Sequence, residues 1–357
     1  MDDDRFPRTL KKVDTIPYYE PGKPPKPLFD LDYMDELEAM WGRPWGAQSR
    51  IGRLKMAMIQ NPKDLLERKQ VDCARDPEYF GRGDGFQEMN MEDIMDEHYN
   101  LVRILQEEGV ELVDMKVPLG AQGLYAEVPH GVIGFGDTVI LNGGAVVTRM
   151  PNAPMRGCEF YWAKRIMEIG CPILYTVHGK GVLSGGCVVF MDCKHVMVGL
   201  GTATNAEGLR QVEPVFRQCG VEEIHPVYLS GYLNKRVGRF GGQSGFFHLT
   251  LVFGMVDIGK ALIYPPGLDY LTVDYLIRKG IKLIEVPWEE ANNAVCNTLV
   301  LRPGRVILPE GNPYTAEALD KEGVEVIQIP WTATRRHSSS GPTCAQGPLI
   351  REPIYFL

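Results

Sequence analysis

Five times along this chain a helical stretch ends at a glycine and passes at once into a short apolar strand. The junctions are Glu108-Gly109-Val110-Glu111-Leu112, Ile169-Gly170-Cys171-Pro172-Ile173, Cys219-Gly220-Val221-Glu222-Glu223, Lys279-Gly280-Ile281-Lys282-Leu283 and Glu322-Gly323-Val324-Glu325-Val326. Glycine suits these positions because the residue just past a helix often turns left-handed, at no steric cost to a side chain that is absent. Ahead of each helix lies a β-rich run, at 54–60, 132–149, 188–200, 247–264 and 297–308. In the first helix Ile94, His98, Leu101 and Leu105 fall on one face, the spacing of an amphipathic helix. The repeating unit is therefore two strands, a helix, the glycine and a strand. A unit of this size cannot bury its own apolar face, so the copies must pack on one another, and a ring does so without leaving ends. The expected fold class is α/β, a five-bladed α/β propeller of repeated ββαβ units; the competing arrangement is a single open, doubly wound sheet.

Residues 1–46 stand apart. They are rich in Pro and charge, with Pro21-Gly22-Lys23-Pro24-Pro25-Lys26-Pro27 as the extreme, and read as an extension laid over the surface or partly disordered. Trp41 and Trp45 are expected to pin its end to the single catalytic domain formed by 47–357. The opening Met1-Asp2-Asp3-Asp4-Arg5 reaches no apolar stretch, so no secretory signal is expected, and no apolar run is long enough to span a bilayer. A net charge of −8 argues against nucleic acid or an anionic membrane as partner. Eight scattered cysteines without a Cys-x-x-Cys suit reduced, mostly buried thiols rather than a disulfide framework or a structural zinc site. The expectation is a cytoplasmic protein acting on a small molecule without metal or cofactor, with room for a homo-oligomer.

Several segments, in order and at the repeat spacing, resemble the pentein superfamily, which includes arginine deiminases, dimethylargininases and glycine amidinotransferases. They are Arg53-Leu54-Lys55-Met56-Ala57-Met58-Ile59, Gly136-Asp137-Thr138-Val139-Ile140-Leu141 and Val198-Gly199-Leu200-Gly201-Thr202-Ala203-Thr204-Asn205-Ala206-Glu207-Gly208. To these are added His248-Leu249-Thr250-Leu251-Val252-Phe253, Asn297-Thr298-Leu299-Val300-Leu301-Arg302-Pro303-Gly304 and Gly341-Pro342-Thr343-Cys344. The resemblance covers residues 47–357. It implies that Cys344 attacks a planar carbon and that His248, at the start of a central strand, protonates the leaving amine. The chemistry suits both types: a thiolate is a good nucleophile once its proton is removed, and imidazole can take that proton and return it. Taken singly, a cysteine is more often a small buried side chain and a histidine a structural hydrogen-bonding group. His337, seven residues before Cys344, is the rival base.

The resemblance also exposes losses. Where the superfamily sets carboxylates around a guanidinium, this chain has Ser184 before Gly185-Gly186, Thr250 two residues after His248, and Pro129; a substrate-carboxylate Arg is replaced by Ala203. A buried guanidinium without counter-charge would lose its hydration uncompensated, which makes free arginine a poor expected substrate. Ser184 and Thr250 become candidate substrate contacts. Glu127 either replaces the missing acid or is an exposed loop residue, and Arg156 is a candidate anchor for an anionic substrate group. Arg82-Gly83-Asp84 reads as a turn, and Glu92, Asp93, Asp96 and Glu97 with His98 as a solvated helix face rather than a metal site. The resulting expectation is a Cys-dependent amidinohydrolase or amidinotransferase acting at a C–N bond of an amidine-, guanidine-, ureido- or amide-like group. The alternative is a non-catalytic binding protein on the same scaffold, since the superfamily also contains a ribosome-binding initiation factor.

Overall fold

The computed structural model describes residues 21–23, 33–62, 90–115, 138–151, 159–229, 246–338 and 341–357, with backbone only at 160, 161 and 336–338. Helix α1 (Tyr33–Trp41) precedes the first blade, formed by β1 (Leu54–Ile59), α2 (Met91–Glu107) and β2 (Glu111–Asp114). The second is β3 (Thr138–Leu141), β4 (Gly144–Val147), α3 (Glu159–Glu168) and β5 (Ile173–Thr176). The third is β6 (Val188–Phe190), β7 (His195–Leu200), α4 (Ala206–Gln218) and β8 (Glu223–Tyr228). In the fourth, β9 (Phe253–Asp257) and β10 (Lys260–Ile263) lead through α5 (Tyr270–Arg278) to β11 (Lys282–Glu285). The fifth runs β12 (Leu299–Arg302), β13 (Arg305–Pro309), α6 (Pro313–Lys321) and β14 (Glu325–Ile329), followed by α7 (Thr332–Ser338) and β15 (Gln346–Arg351).

Among the described residues five three-stranded sheets result. In each, the middle strand pairs antiparallel with its predecessor and parallel with the strand after the helix. The first sheet obeys the same rule only because β15 supplies its missing strand, pairing antiparallel with β1 from Leu54↔Arg351 to Ile59↔Gln346. The last strand of the chain therefore completes the first blade and shuts the ring. An open doubly wound sheet is excluded by five separate sheets.

The five glycines do more than permit a turn. Each helix closes with two hydrogen bonds: Gly109 N–H to Gln106 O with Val110 N–H to Leu105 O, and likewise Gly170/Cys171 to Met167/Ile166, Gly220/Val221 to Arg217/Phe216, Gly280/Ile281 to Ile277/Leu276 and Gly323/Val324 to Asp320/Leu319. All five glycines have φ between 72° and 90°. This is the Schellman cap, in which the residue after the glycine packs against the residue whose carbonyl it bonds. Both members of every such pair are buried. Each apolar side chain so removed from water contributes roughly 1.5–3 kcal/mol, so the sequence repeat is a repeat of caps and of the core contacts they fix.

The segment before β1 is drawn into the ring. Gly46 pairs with Ile350 of β15, while the Arg50 N–H bonds Phe190 O at the end of β6, 3.1 Å away. Ile51 is fully buried in the same core cluster as Cys187, Val252, Phe253 and Cys296, residues of the third to fifth blades. Upstream, Leu37 and Trp45 are buried and the Tyr33 hydroxyl donates to Gly143 O. Trp41 differs from its expected anchoring role: the residue is 42% exposed, and its carbonyl instead accepts from Trp45 Nε1. The acidic face of α2 is also corrected at one position. Glu92, Asp93 and Asp96 are exposed, but Glu97 is buried and accepts from the Ala333 and Thr334 N–H groups at 2.9 and 2.7 Å. It thereby caps the start of α7, the helix that leads to Cys344.

Candidate functional site

The strands at the inner edge of four blades, β6, β9, β12 and β15, are each preceded by one turn of 3-10 helix. The turns are Gly185–Cys187, Leu249–Leu251, Val295–Asn297 and Pro342–Ala345. The second packs against the first and the third, and the third against the fourth. The repeat thus carries equivalent positions of successive blades to one place. Ser184 immediately precedes the first turn and His248 the second, which contains Thr250; Asn297 ends the third and Cys344 lies in the fourth. His248 precedes the turn before its strand rather than opening the strand itself.

Two glycines are set by close approach rather than by backbone angle. A Cβ on Gly186 would lie 2.7 Å from His248 Nδ1, and one on Gly341 would lie 2.6 Å from Asn297 O. The imidazole therefore lies on the backbone of Gly186, with Phe247 on its flank at 4.2 Å between ring centroids. His248 Nε2 and Ser184 Oγ are 2.9 Å apart and share one hydrogen bond. Ser184 is itself fully buried and held by its N–H to Thr204 Oγ1. A neutral hydroxyl does nothing to favour imidazolium, and burial lowers the pKa of His248 to about 4. The ring is neutral at pH 7.

Cys344 is half-buried, and its N–H bonds Gly341 O. Burial raises its thiol pKa above the ordinary 9.0, while the Asn297 amide and then the Arg50 guanidinium pull the other way. Asn297 is fully buried; its Oδ1 accepts from Gly341 N–H at 3.1 Å, and Nδ2 sits near the thiol without closing a well-formed hydrogen bond. The Arg50 Nη2, the Thr250 hydroxyl and the Gln346 Oε1 are likewise buried without a partner. Arg351 lies beside Arg50, donates to Gly52 O at 2.7 Å, and has its pKa lowered to about 9 by burial and then by Arg50. Among the described residues no carboxylate enters the electrostatics of Cys344, His248 or Arg50.

Of the residues singled out in the sequence, Ser184, His248, Thr250 and Cys344 are brought onto these neighbouring turns. Glu127, Arg156, Pro129 and Arg82-Gly83-Asp84 lie outside the described residues, as does the side chain of His337. Asn297 and Arg50 were not singled out as site residues. For Asn297 a signal existed, since it opens the fifth β-rich run much as His248 stands near the head of the fourth. Arg50 sits in no repeat and gave none. No group of three or more His, Cys, Asp or Glu able to hold a metal occurs among the described residues. No helix among them is long and apolar enough to cross a membrane.

Five ββαβ blades closed by the final strand, with the inner-strand turns gathered at the middle, are the pentein fold, and the chain has that fold. Comparison with known proteins agrees. The arginine deiminase family model matches residues 267–351, which include Asn297 and Cys344. A 2-nitroimidazole nitrohydrolase of Mycobacterium sp. (strain JS330) is 25% identical over 361 residues, covering 96% of this chain and 92% of that protein. An uncharacterized protein of Aeropyrum pernix is 32% identical over 189 residues, 52% of this chain and 61% of its own length. Among solved structures, SxtG, an amidinotransferase from Microseira wollei in the saxitoxin biosynthetic pathway, matches with a TM-score of 0.65 at 13% identity, covering 87% of this chain and 98% of that one.

Proposed function

We propose that the chain is a Cys-dependent enzyme that acts at a C–N bond of a planar carbon flanked by nitrogen, in a substrate that is neutral or anionic. The observation that carries this reading is the gathering of Cys344 and His248 on turns joined through Asn297, with no described carboxylate among them. In the first half-reaction the thiol proton passes to His248 while sulfur bonds to the carbon, and the C–N bond to the leaving group breaks. The leaving group takes a proton from His248 if it departs as an amine, or leaves as an anion. Water then adds to the same carbon, the C–S bond breaks and the thiol recovers its proton. An amine in place of water would make the same chain an amidinotransferase. The relative that spans nearly all of this chain carries the name of a nitrohydrolase, which favours water as acceptor.

Amidine-like carbons, whether in ureido and amide compounds or between the two ring nitrogens of an imidazole, are electrophilic enough for a thiolate yet need no cation pocket. A guanidinium would instead enter beside Arg50 and Arg351 and find like charge. The test is a screen of ureido, amide, amidine and 2-substituted imidazole compounds for turnover and for a covalent mass adduct on the peptide carrying Cys344. Cys344→Ser and His248→Ala should abolish turnover with the circular dichroism spectrum unchanged. Either variant working near the wild-type rate would overturn the assignment.

A further inference from the structure

Arg50 is a charged group of this site to which the proposed bond-making and bond-breaking steps give no role. It belongs to no blade; it hangs from the segment that reaches from β15 to β6, fixed by its own N–H to Phe190 O and by the burial of the next residue, Ile51. Its Nη2 is buried with no partner, and its guanidinium is close enough to the thiol to favour the thiolate. A buried, unpartnered arginine nitrogen forfeits its hydration and recovers nothing from the protein. Arg351 beside it makes the arrangement costlier still, because the two like charges repel. Three further polar atoms on the gathered turns and on β15 share the condition: Asn297 Nδ2, Thr250 Oγ1 and Gln346 Oε1 belong to residues at most 2% exposed and have no partner. Two fixed donors beside the nucleophile, one of them a guanidinium whose fork matches a pair of oxygens, make a receptor for a planar group rich in oxygen.

We infer that Arg50 is a specificity-determining residue that holds a carboxylate or nitro-type oxygen pair of the substrate beside the carbon attacked by Cys344. The inference rests on the assignment of Cys344 as nucleophile and adds the chemical class of what it attacks. Arg50 would then serve twice, favouring the thiolate and receiving the negative oxygens as they arrive or depart. Asn297 Nδ2 lies near the thiol as a second donor.

The two roles separate in an alkylation experiment on the full-length protein. Iodoacetate carries a carboxylate on the carbon that the sulfur attacks; iodoacetamide is nearly the same size and neutral. In both, sulfur bonds to that carbon and iodide departs, with the thiol proton lost to base. The readout is the ratio of the two labelling rates at the Cys344 peptide, followed by mass spectrometry, against the same ratio for free glutathione. An effect on thiol acidity alone changes both rates equally and cancels in the ratio. Contact with the carboxylate does not cancel. The expected ratio at Cys344 exceeds that of glutathione by on the order of tenfold, the size of one charge-assisted hydrogen bond. Arg50→Gln should remove the excess and Arg50→Lys should keep most of it. A wild-type ratio no higher than glutathione's, or one unchanged in Arg50→Gln, overturns the inference while leaving the nucleophile in place. Failure of both reagents to label Cys344 takes down the nucleophile and the inference together.

Discussion

The close approach of Gly186 to His248 gives the sharpest test. In Gly186→Ala the new Cβ would sit 2.7 Å from Nδ1, 2.9 Å from Cγ and 3.1 Å from Cε1 of His248. Ordinary contact needs about 3.5 Å or more, so the imidazole must retreat by roughly 0.8 Å. The 2.9 Å link from Nε2 to Ser184 Oγ would stretch beyond hydrogen-bonding range. A misplacement of about 1 Å in a catalytic group can cost on the order of 10²-fold in rate. Gly186 is not among the glycines with positive φ, so alanine brings no backbone strain and the fold should survive with its melting temperature nearly unchanged. Two measurements check the reasoning. Turnover of a compound recovered by the screen should fall by about two orders of magnitude, mostly in kcat. The His248 imidazole, followed by NMR, should titrate higher than about 4, because a ring displaced toward water loses part of its desolvation. Wild-type turnover with an unchanged titration would refute the claim that Gly186 sets the ring position.

The remaining expectations are simpler. Burial holds His248 near a pKa of 4 against 6.5 in the unfolded chain, so between those values the unfolded state binds more protons. Stability is then full above pH 6.5 and falls by up to roughly 3 kcal/mol as pH drops toward 4; denaturant melts across this window should flatten in His248→Asn, with His98, also near 4, leaving a residual slope. Glu97→Ala strips the cap from α7 and leaves buried N–H groups unpaired, costing about 1–3 kcal/mol, with Glu97→Gln losing less; an unaffected denaturation midpoint in the Ala variant would contradict the capping role. Free L-arginine should be turned over poorly or not at all, measured as ammonia, urea, citrulline or ornithine; kcat/KM of about 10⁴ M⁻¹s⁻¹ or more would sink the argument from missing counter-charge.

The ring was legible because its signals are local. A glycine that must turn left-handed, followed by an apolar residue, betrays a helix end without reference to anything distant, and five of them betray five blades. Cys344 and His248 could be named as candidates for a different reason, since their flanking segments resemble a known superfamily in order and spacing. The exposure of Trp41 and the burial of Glu97 were not legible. A tryptophan outside the repeat and an acid at the edge of a helix face each depend on what arrives from elsewhere, here the carbonyl needed by Trp45 and the unpaired N–H groups opening α7.

By itself, then, the sequence determined the blade count, the caps and the order of strands and helices, and it nominated Cys344 and His248 as candidates for the chemistry. The tertiary structure decided what those residues face. Closing the first sheet with β15 brings Cys344 toward the segment that carries Arg50, although nearly three hundred residues separate them in the chain. Packing of the third blade against the fourth strips water from His248 and leaves Ser184 rather than an acid beside it, which lowers the pKa of the ring. Desolvation and charge proximity are properties of what surrounds a group in space, and a linear order of residues carries them only after the ring has closed.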